Sequence, residues 1–375
     1  MRAKRVGAGL CALLLAIGVA LALGVKEGRS AEGGKGRCAG HATADYRALA
    51  KHLTRGARAS GTRYIERSAG RMGATAWSHG QASAAALDIA LACGGWGDAK
   101  RSLTGLKRFQ RGPSYNPEQG NGPQERYYDD NAWIGLDLIQ ALRMSRNARY
   151  LERAQRVFSF LERGFSPHGG LYWKEDQPAM RRTASANGPA LQLALHLFEE
   201  TGEQRYLDRA IEIDEFLSRH LRSPEGLIYD SVGDGGKVDR TMWTYNQGSY
   251  IGASVQLYKV TDEGEYLDRA VETASASLSH FAEEDRLWRQ PPAFNAIFFR
   301  NLLDLEAVAP DPTYRATLDA YLTRARTSAR NKGLYGGRGL GSYGERRGTA
   351  LVDQAGFVQM HALLELSPAQ LGRVS

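Results

Sequence analysis

One phrase recurs along this chain and restricts its fold more than any other feature. "RYLERAQRV" begins at residue 149, "RYLDRAIEI" at 205 and "EYLDRAVET" at 265. Each opens an amphipathic helix whose charges fall on one wet face. Between the copies lie helices of a second kind, apolar nearly all round, beginning near Trp77–Gln81, Asp129–Asn131, Ser185–Asn187, Tyr245–Gln247, Phe294–Asn295 and Asp353–Gln354. Adding amphipathic helices near 45, 98, 148, 204, 264 and 312 gives six of each kind in strict alternation. A helix apolar on every side needs cover on every side, and an outer ring wrapped around an inner ring supplies it. The expected fold is all-α, an (α/α)6 barrel of six inner and six outer helices in one domain over residues 40–370. No convincing alternating strands are present.

Alternation places every inner-helix amino terminus at one end of such a barrel. The connections leading there are long and rich in Gly and aromatics: "HGGLYWKED", "EGLIYD", "DRLWRQPPAF" and "KGLYGGRGLGSYGERRG". Loops of that length usually carry function. The glycine-rich stretch at 336–348 has no strand before it, so it reads as a rim loop and not as a phosphate cradle.

The amino terminus is different in kind. Arg2, Lys4 and Arg5 precede an uncharged run from Val6 to Val25. Residues 1–31 are expected to be a signal peptide with cleavage between Ala22 and Ala31, or alternatively an uncleaved membrane anchor. Losing them removes five bases and one acid and lowers the formal charge from +8 to +4. The remaining arginines are scattered beside acids, which is a solvated surface and not a nucleic-acid patch. Cys38 and Cys93 survive processing, and in an exported protein they form either a disulfide or two unrelated thiols. No metal-ligand spacing is present, and neither a metal nor a cofactor is expected. The chain is expected to act as a monomer, and to meet a membrane only if the leader stays attached.

Asp129 and Asp130 stand side by side where the second inner helix begins, in "QERYYDDNAWIGLDLIQAL". Helix capping explains one of them. The second adds like-charge repulsion, and ring systems suited to stacking on sugars (Tyr127, Tyr128 and Trp133) surround the pair. Glycoside cleavage needs two carboxylates whose pKa values are driven apart, one ionised and one protonated. Adjacent residues have Cα atoms about 3.8 Å apart, and their carboxyls reach the ~5–5.5 Å separation of retaining enzymes more easily than the wider inverting one.

"YYDDNAWIGLDLI" resembles the signature of glycoside hydrolase family 76, the α-1,6-mannanases and related transglycosidases. "SANGPALQLALHLFEETGEQRYLDRA", "TYNQGSYIGASVQLYKVTDEGEYLDRA" and "FNAIFFRNLLDL" are similar to later blocks of that family in the same order, so the likeness covers nearly all of residues 75–366. It implies an (α/α)6 barrel and a retaining mechanism, with Asp129 as nucleophile and Asp130 as general acid/base. One departure is Asp137, where the family pattern leads one to expect a small apolar residue. It is either a carboxylate that keeps Asp130 protonated or a polar residue on the barrel axis bonded to water.

Substrate-binding positions are expected at Tyr128, Trp133, Asn187, Asp230, Tyr245, Asn246 and Gln247. For the amides the competing role is bonding between helices. Tyr172, Trp173, Tyr229 and Trp288 lie in the mouth loops as stacking platforms or loop anchors. The expected activity is an exported endo-acting α-1,6-mannanase on mannan or mannose-containing glycans. The alternatives are a transglycosidase on the same glycans, a non-catalytic wall-glycan-binding barrel, and, more distantly, an unsaturated-uronide hydrolase.

Overall fold

The computed structural model describes residues 40–120, 124–175, 181–336 and 348–371. All of these fall in one compact unit, Gly36–Ser375, and a second unit, Met1–Lys35, lies outside them. The expected leader, Cys38 and residues 337–347 of the glycine-rich rim loop are likewise outside the described residues. Cys93 is disulfide-bonded.

Among the described residues, twelve long helices alternate between two rings. The inner ring holds α2 (Ala76–Cys93), α4 (Tyr128–Ser145), α6 (Ala184–Thr201), α8 (Thr244–Thr261), α11 (Pro292–Glu306) and α13 (Leu351–Glu365). The outer ring holds α1 (His41–His52), α3 (Trp96–Gly105), α5 (Ala148–Leu161), α7 (Gln204–His220), α9 (Gly264–Ala282) and α12 (Pro312–Ser328), and a single turn, α10 (Arg286–Arg289), precedes α11. Each inner helix packs on the next, and α13 closes the circle against α2. This is the expected (α/α)6 barrel, and the inner helices begin within two residues of their expected starts.

Two residues separate each of the first four inner helices from the outer helix that follows it. Arg146, Gly202 and Asp262 end α4, α6 and α8 in the left-handed conformation, and the next residue is extended and starts a new helix. That tight reversal forces inner and outer neighbours antiparallel, which sends every long connection to the opposite end.

These connections contain short antiparallel hairpins that the sequence did not announce, because two to five residues are too few to show alternation. The most consequential is a three-stranded sheet pairing Arg181–Thr183 with Ser231–Gly233 and that strand with Val238–Asp239, which joins two mouth loops into one wall.

The inner helices approach closely. A Cβ on Gly248 would lie 2.6 Å from Phe298 Cα, and one on Gly356 2.8 Å from Pro292 O. They are also more polar than "apolar all round" suggested. Asp88, Asp137, Gln140, Gln192, His196, Gln256 and Asn301 are all buried. Arg300 pairs with Asp88, Gln140 donates to Asp88 at 3.0 Å, and Gln192 donates to Asn301 at 2.7 Å. Except for Asp88, these groups line a small cavity of about 60 Å³ on the barrel axis, where Asp137 Oδ2 and Gln256 Oε1 are left without a partner.

Candidate active site

A rule of position organises the mouth. The inner helices have their N-cap residues at Thr75, Tyr127, Thr183, Trp243, Pro291 and Ala350. Two residues after the first four of these stand Trp77, Asp129, Ser185 and Tyr245, and all four line one open cavity of about 680 Å³. Four residues after the caps stand His79, Asn131, Asn187, Gln247, Asn295 and Gln354, all buried. Three of these amides clamp the hairpin in front of their helix in the same way. Asn131 accepts from Tyr115 N and donates to Tyr115 O, Asn187 does the same to Leu171, and Gln247 to Ile228, at 2.7–3.1 Å. Each also donates to the carbonyl of its own N-cap residue.

This geometry corrects part of the expected site. Asn187 and Gln247 do not reach the cavity, because both ends of their amides are consumed by backbone groups. Tyr128 also turns away: one residue from Asp129 on a helix is a rotation of about 100°. Its ring stacks on Phe160 at 4.9 Å and covers Gly164. Asn246 is buried behind the wall, its Nδ2 3.5 Å from Asp230 Oδ1. Asp129, Asp130, Trp133, Asp230 and Tyr245 do line the cavity, together with Trp77, Tyr127, Trp173, Trp243 and Phe294. Trp77, Trp243 and Phe294 were not among the expected binding positions, although all three sit at inner-helix starts. Of the loop aromatics, Trp173 is in the cavity. Tyr172 is an anchor, its hydroxyl 3.1 Å from Asp234 Oδ2; Trp288 is buried against Tyr321, and Tyr229 lies 5.8 Å from the Arg240 guanidinium.

Trp173 is carried to the carboxylate pair by backbone pairing. Tyr128 N–H donates to Trp173 O at 2.8 Å, and Trp173 N–H donates to Arg181 O at 2.9 Å. A bidentate ion pair between Arg126 and Glu175, at 2.6 and 2.7 Å, holds the same loop. The indole N–H then donates to Asp129 Oδ2 at 2.8 Å, and Ser185 Oγ lies 3.3 Å from the same oxygen. Asp129 Oδ1 accepts the Asp130 backbone N–H at 2.9 Å. α4 has no side-chain cap at its N-cap Tyr127; Asp129 lies in the first turn, where its Oδ1 takes up one free helix-end N–H. The Asp130 carboxyl accepts no hydrogen bond among the described residues.

The electrostatics follow from these contacts. Burial at the cavity floor raises both carboxyls. In Asp129 the hydrogen bonds from Trp173, the Asp130 amide and Ser185 oppose that rise and leave it at about 6. Asp130 is driven well above the usual carboxylate range, first by burial and then by the neighbouring Asp129 charge. Asp129 ionises first and Asp130 keeps its proton, a division suited to one group that attacks and one that protonates. Asp230, raised by burial and by Asp239, faces them from the sheet wall.

Asp137 lies on the axial cavity with Gln140, Gln256 and Arg300, and its Oδ2 has no hydrogen-bond partner. Seven helical residues set it about 10 Å along the axis from Asp130, which favours its reading as an axial polar residue. Among the described residues no group of three or more His, Cys, Asp or Glu could hold a metal ion.

An all-helical toroid that opens an indole-walled cavity onto two neighbouring carboxylates has the build of an (α/α)6 glycosidase. The chain belongs to glycosyl hydrolase family 76, which it matches over residues 47–365. It is 28% identical over 172 residues to the mannan endo-1,6-alpha-mannosidase DCW1 of Saccharomyces cerevisiae, covering 41% of this chain and 38% of that protein. The Candida glabrata protein of the same name is 25% identical over 219 residues, covering 52% and 45%. The chain thus spans less than half the length of these relatives. Among solved structures, the family 76 mannosidase Bt3792 of Bacteroides thetaiotaomicron superposes with a TM-score of 0.77 at 23% identity, covering 87% of this chain and 97% of that one. The GH76A alpha-1,6-mannanase of Salegentibacter sp. HEL1_6 gives 0.70 at 21% identity, covering 86% and 98%.

Proposed function

We propose that the chain is an exported, endo-acting α-1,6-mannanase, with residues 1–31 as leader and residues 40–370 as the catalytic barrel. It cleaves mannan or mannose-containing glycans with retention. The Asp129 carboxylate bonds to the anomeric carbon as the C–O bond to the leaving sugar breaks, and the Asp130 proton passes to the departing oxygen. Water then attacks the same carbon and gives its proton to Asp130, and the Asp129 ester is released. Trp77, Trp133, Trp173 and Tyr245 supply faces for sugar rings, and Asp230 supplies an acceptor for hydroxyls.

The observation that carries this reading is the unequal treatment of two adjacent carboxyls, one held by three donors and the other by none. The names of the relatives support the linkage. The Salegentibacter enzyme is also described as an inactive variant with two consecutive aspartates changed to asparagine, in complex with α-1,6-mannotriose. The test is to incubate the mature protein with linear α-1,6-mannooligosaccharides and follow by NMR the anomer released first. The α-anomer is expected. A β-anomer overturns retention, and intact substrate overturns the activity. An added mannoside acceptor in the same tube separates transfer to sugar from transfer to water.

A further inference from the structure

A second cavity, of about 410 Å³, opens beside the first. Its lining includes Arg240, Arg286 and Arg289 with His280, Met242 and Gln290, and no carboxylate. Two pairs of consecutive residues form the partition between the cavities. Met242 faces the second cavity and Trp243 the first; Gln290 faces the second and Pro291 the first. The partition is tied where Gln290 Oε1 accepts the Thr244 N–H at 3.1 Å.

The three arginines are not equivalent. Arg286 pairs with Glu283 at 3.0 Å and Glu284 at 4.0 Å and lies 3.1 Å from His280 Nδ1. Arg240 and Arg289 are exposed and make no ion pair among the described residues. Arg240 lies over the Tyr229 ring at 5.8 Å and Arg289 acts on Asp285 only through space, so neither guanidinium is held by a hydrogen-bonded carboxylate. Two such groups around one concavity fit an oxyanion that accepts several N–H bonds at once, and phosphate does so best.

We infer that this cavity is a subsite for a phosphate ester carried by the glycan that occupies the first cavity. The inference rests on the reading of the first cavity as an α-1,6-mannan site. A sugar chain lying across the mouth need extend past only one residue's thickness of wall to bring a charged substituent among the arginines. A neutral chain occupies the first cavity alone.

The test is calorimetric, with the Asp130→Asn variant of the mature chain to prevent turnover. Three probes are compared: α-1,6-mannotriose, the same trisaccharide phosphorylated on the non-reducing terminal O6, and its reducing-end glycosyl phosphate. One phosphorylated probe is expected to bind about tenfold tighter than the neutral one, a gain of about 1.4 kcal/mol. The gain should shrink as salt rises and vanish in Asp130→Asn combined with Arg240→Ala and Arg289→Ala. Which probe gains fixes the direction in which the chain lies. Equal binding of all three overturns the inference, as does a gain that survives the arginine replacements. Inorganic phosphate binding as tightly as the phosphorylated glycan overturns it in favour of a free-anion site. Absence of mannotriose binding and, in the parent protein, of its cleavage strikes at the first cavity's reading instead.

Discussion

The indole N–H of Trp173 meets Asp129 Oδ2 at 2.8 Å, across a distance of 44 residues in sequence. This bond does most to keep one aspartate ionisable where burial pushes both toward neutrality.

Trp173→Phe keeps the ring and removes the donor. The Asp129 carboxylate loses stabilisation, so its pKa moves above about 6. A nucleophile must be ionised, so the acidic limb of kcat/KM is expected to shift to higher pH. Activity at pH 5 should fall roughly tenfold, one pKa unit being a factor of ten in the ionised fraction, with a smaller loss at pH 8. A pH profile that loses height without moving its acidic limb would show that the indole serves only as a stacking face.

Asp130→Asn removes the proton donor, and kcat on α-1,6-mannooligosaccharides should fall by about 10²–10⁴-fold. Stability should move the other way. The folded pKa is raised, so the native state binds more protons than the unfolded chain above the ordinary carboxylate range, and the parent protein loses stability as pH rises through that window. Asparagine carries no charge, so the variant should melt roughly 1–4 °C higher at pH 7.5, with the gap closing near pH 4. Differential scanning calorimetry at the two pH values measures both the sign and its pH dependence.

Asn187→Ala strips partners from Leu171 N–H, Leu171 O and Thr183 O, all held at 2.7–2.9 Å. A buried polar group left unpaired costs about 1–3 kcal/mol, so the variant should lose about 3 kcal/mol in urea unfolding. Leu171 is two residues before Trp173, and kcat should fall even in the fully folded fraction. Normal turnover per folded molecule would mean that the hairpin holds its place without the amide.

Gly248→Ala sets a methyl 2.6 Å from Phe298 Cα and 2.9 Å from Ile297 O, backbone atoms that cannot rotate away. Overpacking of this kind costs about 1–3 kcal/mol. Gly264→Ala, at the first turn of α9 with nothing within 4 Å, is the control and should be neutral or stabilising by about 0.4–1 kcal/mol. Parallel thermal melts of the two variants decide the point.

The helices were legible because burial on all sides and burial on one side leave different patterns in sequence, and the repeats fixed their order. Asp129, Asp130, Trp133, Asp230 and Tyr245 were legible as mouth residues because charge and aromatic rings at the start of an apolar helix have few other uses. Tyr128, Asn187 and Gln247 were misplaced because near a helix start one position turns a side chain by about 100°, and a boundary uncertain by one residue cannot say which face it joins. Trp243 and Phe294 were missed for the same reason. The short hairpins and the polar axis depend on partners distant in the chain, such as Asp88 with Arg300, and no local pattern announces them.

The amides at Asn131, Asn187 and Gln247 grip main-chain atoms, not side chains, of the segments they hold. Those three fastenings do not depend on which side chain the held residue carries, whereas the core packing of Tyr115, Leu171 and Ile228 and the Arg126–Glu175 pair do. In this chain, a change at an exposed rim position of such a segment leaves its main-chain register untouched, so the walls of the mouth can be recontoured while the barrel beneath them stays as it is.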